Sequence, residues 1–218
     1  MSPGQIVVAV IAIAAASAFV VAAWPTMTRE RGGKILTFFA LFIFPAAVAL
    51  SGGFWHLERS KETQFCLSCH TMSEHGRSLF IDDPSYIPAA HYQNSRVPRD
   101  QACYTCHKDY TMYGDVAAKM RGLRHVYVQY LGNRPEPAKI KLYTPYNNRE
   151  CLHCHAGARS FEEASAHQRK PGQLAAIKSN SMSCMNGKCH EFTHDVESLK
   201  DAKMWEPKSN DPTTTIKN

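Results

Sequence analysis

The sequence predicts a mainly α-helical chain with long loops, in which a membrane-spanning helical hairpin precedes a larger polar domain. Two observations carry this reading. Residues 5–24 and 35–55 are uncharged, largely apolar stretches, each long enough to cross a bilayer. Beyond them the chain becomes polar, and a Cys/His signature recurs four times where long apolar periodic runs would otherwise build a core.

That signature is Cys-x-x-Cys-His, the attachment motif of a c-type haem. It occurs at Cys66, Cys69 and His70, at Cys103, Cys106 and His107, and at Cys151, Cys154 and His155. A fourth copy is stretched: four residues, with Gly187 among them to ease a bulge, separate Cys184 from Cys189, and His190 follows. All eight cysteines are used, and a histidine follows every pair directly. Zinc ribbons and disulfide frameworks use paired cysteines but do not need that histidine. Four covalently bound haem c groups are expected, with His70, His107, His155 and His190 beneath the irons. The haems would supply the apolar bulk that the polar domain lacks, wrapped by short helices and loops.

Taken in order, residues 1–55 form the hairpin. The first stretch lacks the positive leader of a signal peptide, so it is read as a retained helix. Its small residues, Ala12, Ala14, Ala15, Ala16 and Ala18, allow close helix packing. Pro45 predicts a kink in the second. The connecting loop carries Arg29, Arg31 and Lys34, which places it in the cytoplasm by the positive-inside rule. The N-terminus and the haem domain then face the periplasm of a bacterial cytoplasmic (inner) membrane, where haem c is attached. Trp24, Trp55 and His56 fall at the interfaces.

Residues 56–200 read as the tetrahaem domain, with a loose internal repeat of motif, His, motif. Residues 56–148 would hold haems 1 and 2 around His91, and residues 149–200 haems 3 and 4 around His167. Asp115 to Leu131 is the best helix candidate, because Val116, Met120, Leu123, Tyr127 and Leu131 recur at three- and four-residue steps. The segment from Gly132 to Asn148 is a turn-rich linker. Residues 201–218 read as a polar tail, extended or bound to a partner.

Several of these pieces match a known family. Phe65 to Met72, His91 to Val97 leading into Cys103, Lys119-Met120-Arg121 ahead of Val126-Tyr127, Ala166-His167, and His194 after the last motif resemble the NapC/NirT/NrfH family of membrane-anchored tetrahaem cytochromes. The resemblance covers roughly Phe38 to Leu199. It implies a membrane-bound cytochrome that oxidises menaquinol or ubiquinol and feeds a periplasmic reductase or other redox protein, as part of a hetero-oligomeric complex. It also implies distal iron ligation by His91, His167 and His194. At the first haem either Met72 or His70 is the iron ligand. The family's quinol-site lysine corresponds to Lys119; where the family has a carboxylate this chain has His125, either a proton acceptor or a sixth ligand to the first iron, and Asp115 is a spare carboxylate one turn before Lys119. His56, His75 and His153 are read as non-ligands. The chain departs from the family in its extra apolar helix and its stretched fourth motif.

The net charge of +6 invites a nucleic-acid reading, but no binding motif supports one. The charge suits anionic lipid or an acidic redox partner. A relay subunit fixed in a larger respiratory complex, with no quinol site of its own, is the competing function. A terminal reductase would need an open iron, and seven histidines beyond the four motif histidines argue against it.

Overall fold

In the computed structural model, the described residues are 3–24, 28–142, 145–185, 189–190, 194 and 196–206. The bulge at Gly187, the start of the interhelical loop at residues 25–27 and the tail from residue 207 onward lie outside them. The chain divides into two compact units, Met1–Ser60 and Lys61–Asn218.

The first unit is two helices. α1 spans Pro3–Ala23 and α2 spans Arg31–Arg59. α2 is long and apolar enough to cross a membrane, and α1 contributes a shorter apolar run, Val8–Val21. α2 thus extends about one turn beyond each end of the stretch 35–55. α1 packs against the middle and C-terminal part of α2. Pro45 is accommodated by a π turn over Phe39–Ile43 just before it. A proline ring collides with the carbonyl four residues back, here Leu41, and one widened turn moves that carbonyl aside. Two serine hydroxyls of this apolar unit are satisfied locally: Ser17 and Ser51 donate to the carbonyls of Ile13 and Ala47, at 2.8 and 2.7 Å. Arg59 lies over the Trp55 ring at 5.3 Å, a pairing suited to a polar boundary.

The second unit is built of short helices: α3 Thr63–Leu67, α4 Ser73–Arg77, α5 Ile87–Gln93, α6 Ala102–His107, α8 Asn148–His155, α9 Arg159–Glu162 and α10 Gln173–Lys178. The exception is α7, Gly114–Tyr130, within one residue of the helix that the apolar spacing predicts. Gly114 is required at its start, because a Cβ there would run into the Asp109 carbonyl. Asp109 in turn accepts from Arg121 on α7 and Arg149 on α8, at 2.7 and 3.0 Å.

The core is thin. One cluster gathers Leu79, Tyr92, Val97 and Ala102, and another Ile81, Ala89 and Leu199. The part of the tail region within the described residues docks on its own chain. Lys203 O accepts from Asp82 N at 2.8 Å, Trp205 N donates to Phe80 O at 2.6 Å, and the Trp205 and Phe80 rings stack. Ile81 and Met204 form an antiparallel bridge between these contacts.

Candidate functional site

Helical backbone explains how the motifs present their chemistry. In α6 and α8 the two thiols stand three residues apart and the histidine one further, so all three share a face. The first motif starts in α3, and His70 to Met72 form a 3₁₀ turn after it. The fourth reaches a similar closure by another route. His190 N donates to Cys184 O at 3.1 Å, as the amide four residues on does in a helix, although six positions separate them here.

The motifs meet in order along the chain. The Cys66 and Cys103 thiols hydrogen-bond to each other, and so do those of Cys151 and Cys184. As free thiols, the first partner of one pair and the second of the other, Cys66 and Cys184, are lowered to about 7 by that bond, while Cys103 and Cys151 are raised by the same bond. Cys154 is close enough to Cys106 for its charge to raise the Cys106 thiol further, after burial.

Each pair is held by a buried polar side chain three residues before its first cysteine. Thr63 Oγ1 accepts from Ala102 N and donates to Arg99 O, at 2.9 and 2.8 Å. Asn148 Oδ1 accepts from Cys184 N at 2.8 Å, and its Nδ2 donates to Ile177 O and Met182 O at 2.8 and 2.7 Å. Thr63 is 3 % exposed and Asn148 1 %. Neither was legible as a site residue in the sequence; the only signal was the equal spacing ahead of Cys66 and Cys151.

Three of the motif histidines face a second histidine ring. His107 faces His194 with centroids 6.2 Å apart, His155 faces His91 at 5.9 Å, and His190 faces His167 at 6.4 Å. An iron ligated by two imidazoles lies about 2 Å from each nitrogen, and each nitrogen lies about 1 Å from its ring centroid, so the rings should stand about 6 Å apart. The separations fit a bis-histidine haem at all three places.

The hydrogen bonds of the second rings fit as well. His91 Nδ1 lies 2.8 Å from Ile87 O, and His167 Nδ1 lies 3.0 Å from Phe161 O. A carbonyl only accepts, so both Nδ1 atoms carry the proton and both Nε2 atoms keep a lone pair for metal. Fully buried Ser78 gives its hydroxyl proton to His75 O at 2.6 Å, so His194 Nδ1, 2.7 Å away, must donate to it. That leaves His194 Nε2 as the ligating atom too. Burial holds His107, His155, His190 and His194 below the usual imidazole range, His194 to about 3, and keeps them in the neutral, metal-binding form.

The pairing crosses the halves of the sequence repeat. His91 lies between motifs one and two but faces motif three, and His194 follows motif four but faces motif two. Among the described residues no histidine ring faces His70, whose 3₁₀ turn it shares with half-buried Met72. His153 stacks on Tyr110 at 3.8 Å. His75, read as uninvolved, packs beside His194 with centroids 5.7 Å apart.

Lys119 and Asp115 converge on Tyr104. Lys119 Nζ lies 4.2 Å from the ring centroid, and the Tyr104 hydroxyl donates to Asp115 Oδ1 at 3.1 Å. The Lys119 charge also acts on the Cys66 thiol. Lys108 and Lys61 bind the Asp115 carboxylate at 2.9 and 3.2 Å, and Lys108 foremost holds it down to about 2. His125 lies further along α7, where its charge is felt at His107; desolvation holds its own imidazole below the usual range.

Paired thiols beside histidine, opposed by second histidines with the right tautomer, define a c-type cytochrome. The chain matches the NapC/NirT cytochrome c family, N-terminal region, over residues 29–199, and it belongs to that family. It is 23 % identical over 198 residues to the cytochrome c-type protein NapC of Escherichia coli strain K12, covering 83 % of this chain and 90 % of that one. It is 21 % identical over 183 residues to the protein of the same name from Haemophilus influenzae, covering 78 % and 87 %. No solved structure matches it. The protein therefore carries covalent haem c and transfers electrons.

Proposed function

We propose that the protein is a membrane-bound tetrahaem cytochrome c that oxidises quinol and passes the electrons to a periplasmic reductase or other redox partner. α1 and α2 form a transmembrane hairpin with the basic loop in the cytoplasm, and the N-terminus and haem domain lie in the periplasm. Haems 1 and 2 and haems 3 and 4 form two dihaem units, in keeping with the Cys66–Cys103 and Cys151–Cys184 thiol contacts. His107 with His194, His155 with His91, and His190 with His167 would hold the irons of haems 2, 3 and 4.

The observation that carries quinol oxidation is Lys119, set over Tyr104 and acting on the first attachment cysteine. Haem, when bound, accepts electrons one at a time. On this reading Lys119 hydrogen-bonds a quinol oxygen and stabilises the charge that develops there as its proton leaves. Asp115, ionised and bound by two lysines, keeps Lys61 and Lys108 in place around Tyr104. His125, neutral near pH 7, takes a proton.

Lys119→Ala in the holoprotein is expected to slow reduction by menaquinol or ubiquinol analogues on the order of 10²-fold while leaving reduction by dithionite unchanged. Unchanged quinol kinetics in Lys119→Ala and in His125→Ala would transfer the function to the relay reading. The intact chain is expected to show the mass of four haems. Three would mean that the stretched motif at Cys184 and Cys189 is not used.

A further inference from the structure

Helix α7 has two faces with different environments. At 100° per residue, Asp115, Lys119 and Gln129 share one side. Asp115 and Lys119 engage Tyr104, and Thr71 Oγ1 approaches Gln129 Oε1 at 3.5 Å. That side belongs to the haem domain. About a third of a turn away run Val116, Met120, Leu123, Tyr127, Tyr130 and Leu131. All but Tyr130 belong to the apolar spacing that predicts the helix, and a helix in a globular domain normally buries such a stripe. Here they are 58–78 % exposed.

The charge around the stripe says what covers it. From residue 116 to 135 the chain carries Lys119, Arg121, Arg124 and Arg134 and no carboxylate. Arg121 is paired with Asp109; at 100° per residue Arg124 lies beside the stripe, and Arg134, which donates to Gln129 O at 3.5 Å, follows the end of the helix. Apolar side chains mixed with tyrosine and edged by arginine suit the headgroup and upper acyl region of an anionic bilayer. On the membrane-spanning reading proposed above, the apolar 29-residue helix α2 provides a tether, which keeps the local concentration of lipid high.

We propose that the apolar stripe of α7 rests in the headgroup region of an anionic phospholipid bilayer, with Arg124 and Arg134 on lipid phosphates. The contact turns α7 into a second, interfacial anchor. It does not depend on quinol being the electron donor.

The test uses the full-length holoprotein in nanodiscs of phosphatidylcholine, with or without phosphatidylglycerol, doped with a phosphatidylcholine that carries a photoreactive diazirine on its acyl chain. After illumination, lipid adducts are mapped by mass spectrometry. Adducts are expected on residues 113–131 as well as on residues 31–59. Omitting phosphatidylglycerol, or Arg124→Gln, should each lower the adducts on 113–131 about fivefold without changing those on 31–59. Leu123→Glu with Tyr127→Glu should abolish the first set and preserve the second, with haem content as the control. If that double variant loses haem, the map of the unaltered protein decides alone. Adducts confined to residues 3–23 and 31–59 would overturn the proposal. So would chain-to-chain cross-links at 113–131 in place of lipid adducts, which would assign the stripe to a second copy.

Discussion

Alanine at His91, His167 or His194 is expected to convert one haem of the holoprotein from low-spin to high-spin and to raise its potential on the order of 0.1 V, a fraction of the ~0.8 V that axial ligation commands. The expectation rests on two independent features. Each of these rings stands 5.9–6.4 Å from a motif histidine, and each has its Nδ1 bonded so that Nε2 bears the lone pair. The crossed pairing sharpens the test. His91→Ala should alter the haem bound at Cys151 and Cys154 rather than either haem of its own half. His194→Ala should alter the haem at Cys103 and Cys106. His153→Ala is the control, since that ring stacks on Tyr110. The electron paramagnetic resonance spectrum reads the result directly. If all three variants keep the parental low-spin signals, the ligand assignment fails.

What the sequence made legible is local. A thiol, a second thiol three residues on and a histidine next to it are a helical arrangement, so the motifs could be read without a fold. The apolar spacing of Val116 to Leu131 located α7 in the same way, and the two uncharged stretches located α1 and α2. Spacing identified the existence of α7 but not the environment of its apolar side, which is normally the core. Long-range pairing was not legible. The resemblance pointed to His91 and His194, but only the fold sets them opposite the motifs of the other half. Thr63 and Asn148 look like ordinary polar residues, because their importance lies in backbone groups 29 to 39 positions away. The docking of Lys203 and Trp205 on Phe80 and Asp82 is hidden for the same reason: a polar composition does not show that an edge is waiting for it.

Asn148→Ala is expected to release the segment that leads into the fourth motif. The side chain is buried and makes three hydrogen bonds to main-chain groups, one of them the amide of Cys184 itself. A typical hydrogen bond contributes about 1 kcal/mol net, and each buried partner left unsatisfied costs about 1–3 kcal/mol, so the substitution should cost about 3–5 kcal/mol locally. A haem protein in a membrane need not unfold in one step, so a global midpoint is a poor measure. Amide exchange reads the local opening instead. In the holoprotein, exchange at Cys184 should rise on the order of 10²-fold or more in Asn148→Ala, while exchange at Ala102 stays at the parental rate. Thr63→Val should do the reverse, by a smaller factor, because Thr63 makes two such bonds rather than three. Thr63→Ser, which keeps the hydroxyl, should restore protection at Ala102. If Cys184 stays protected in Asn148→Ala, the haem attachments alone hold this segment. If both amides open in either variant, the two halves are one cooperative unit and the paired clasps do not act separately.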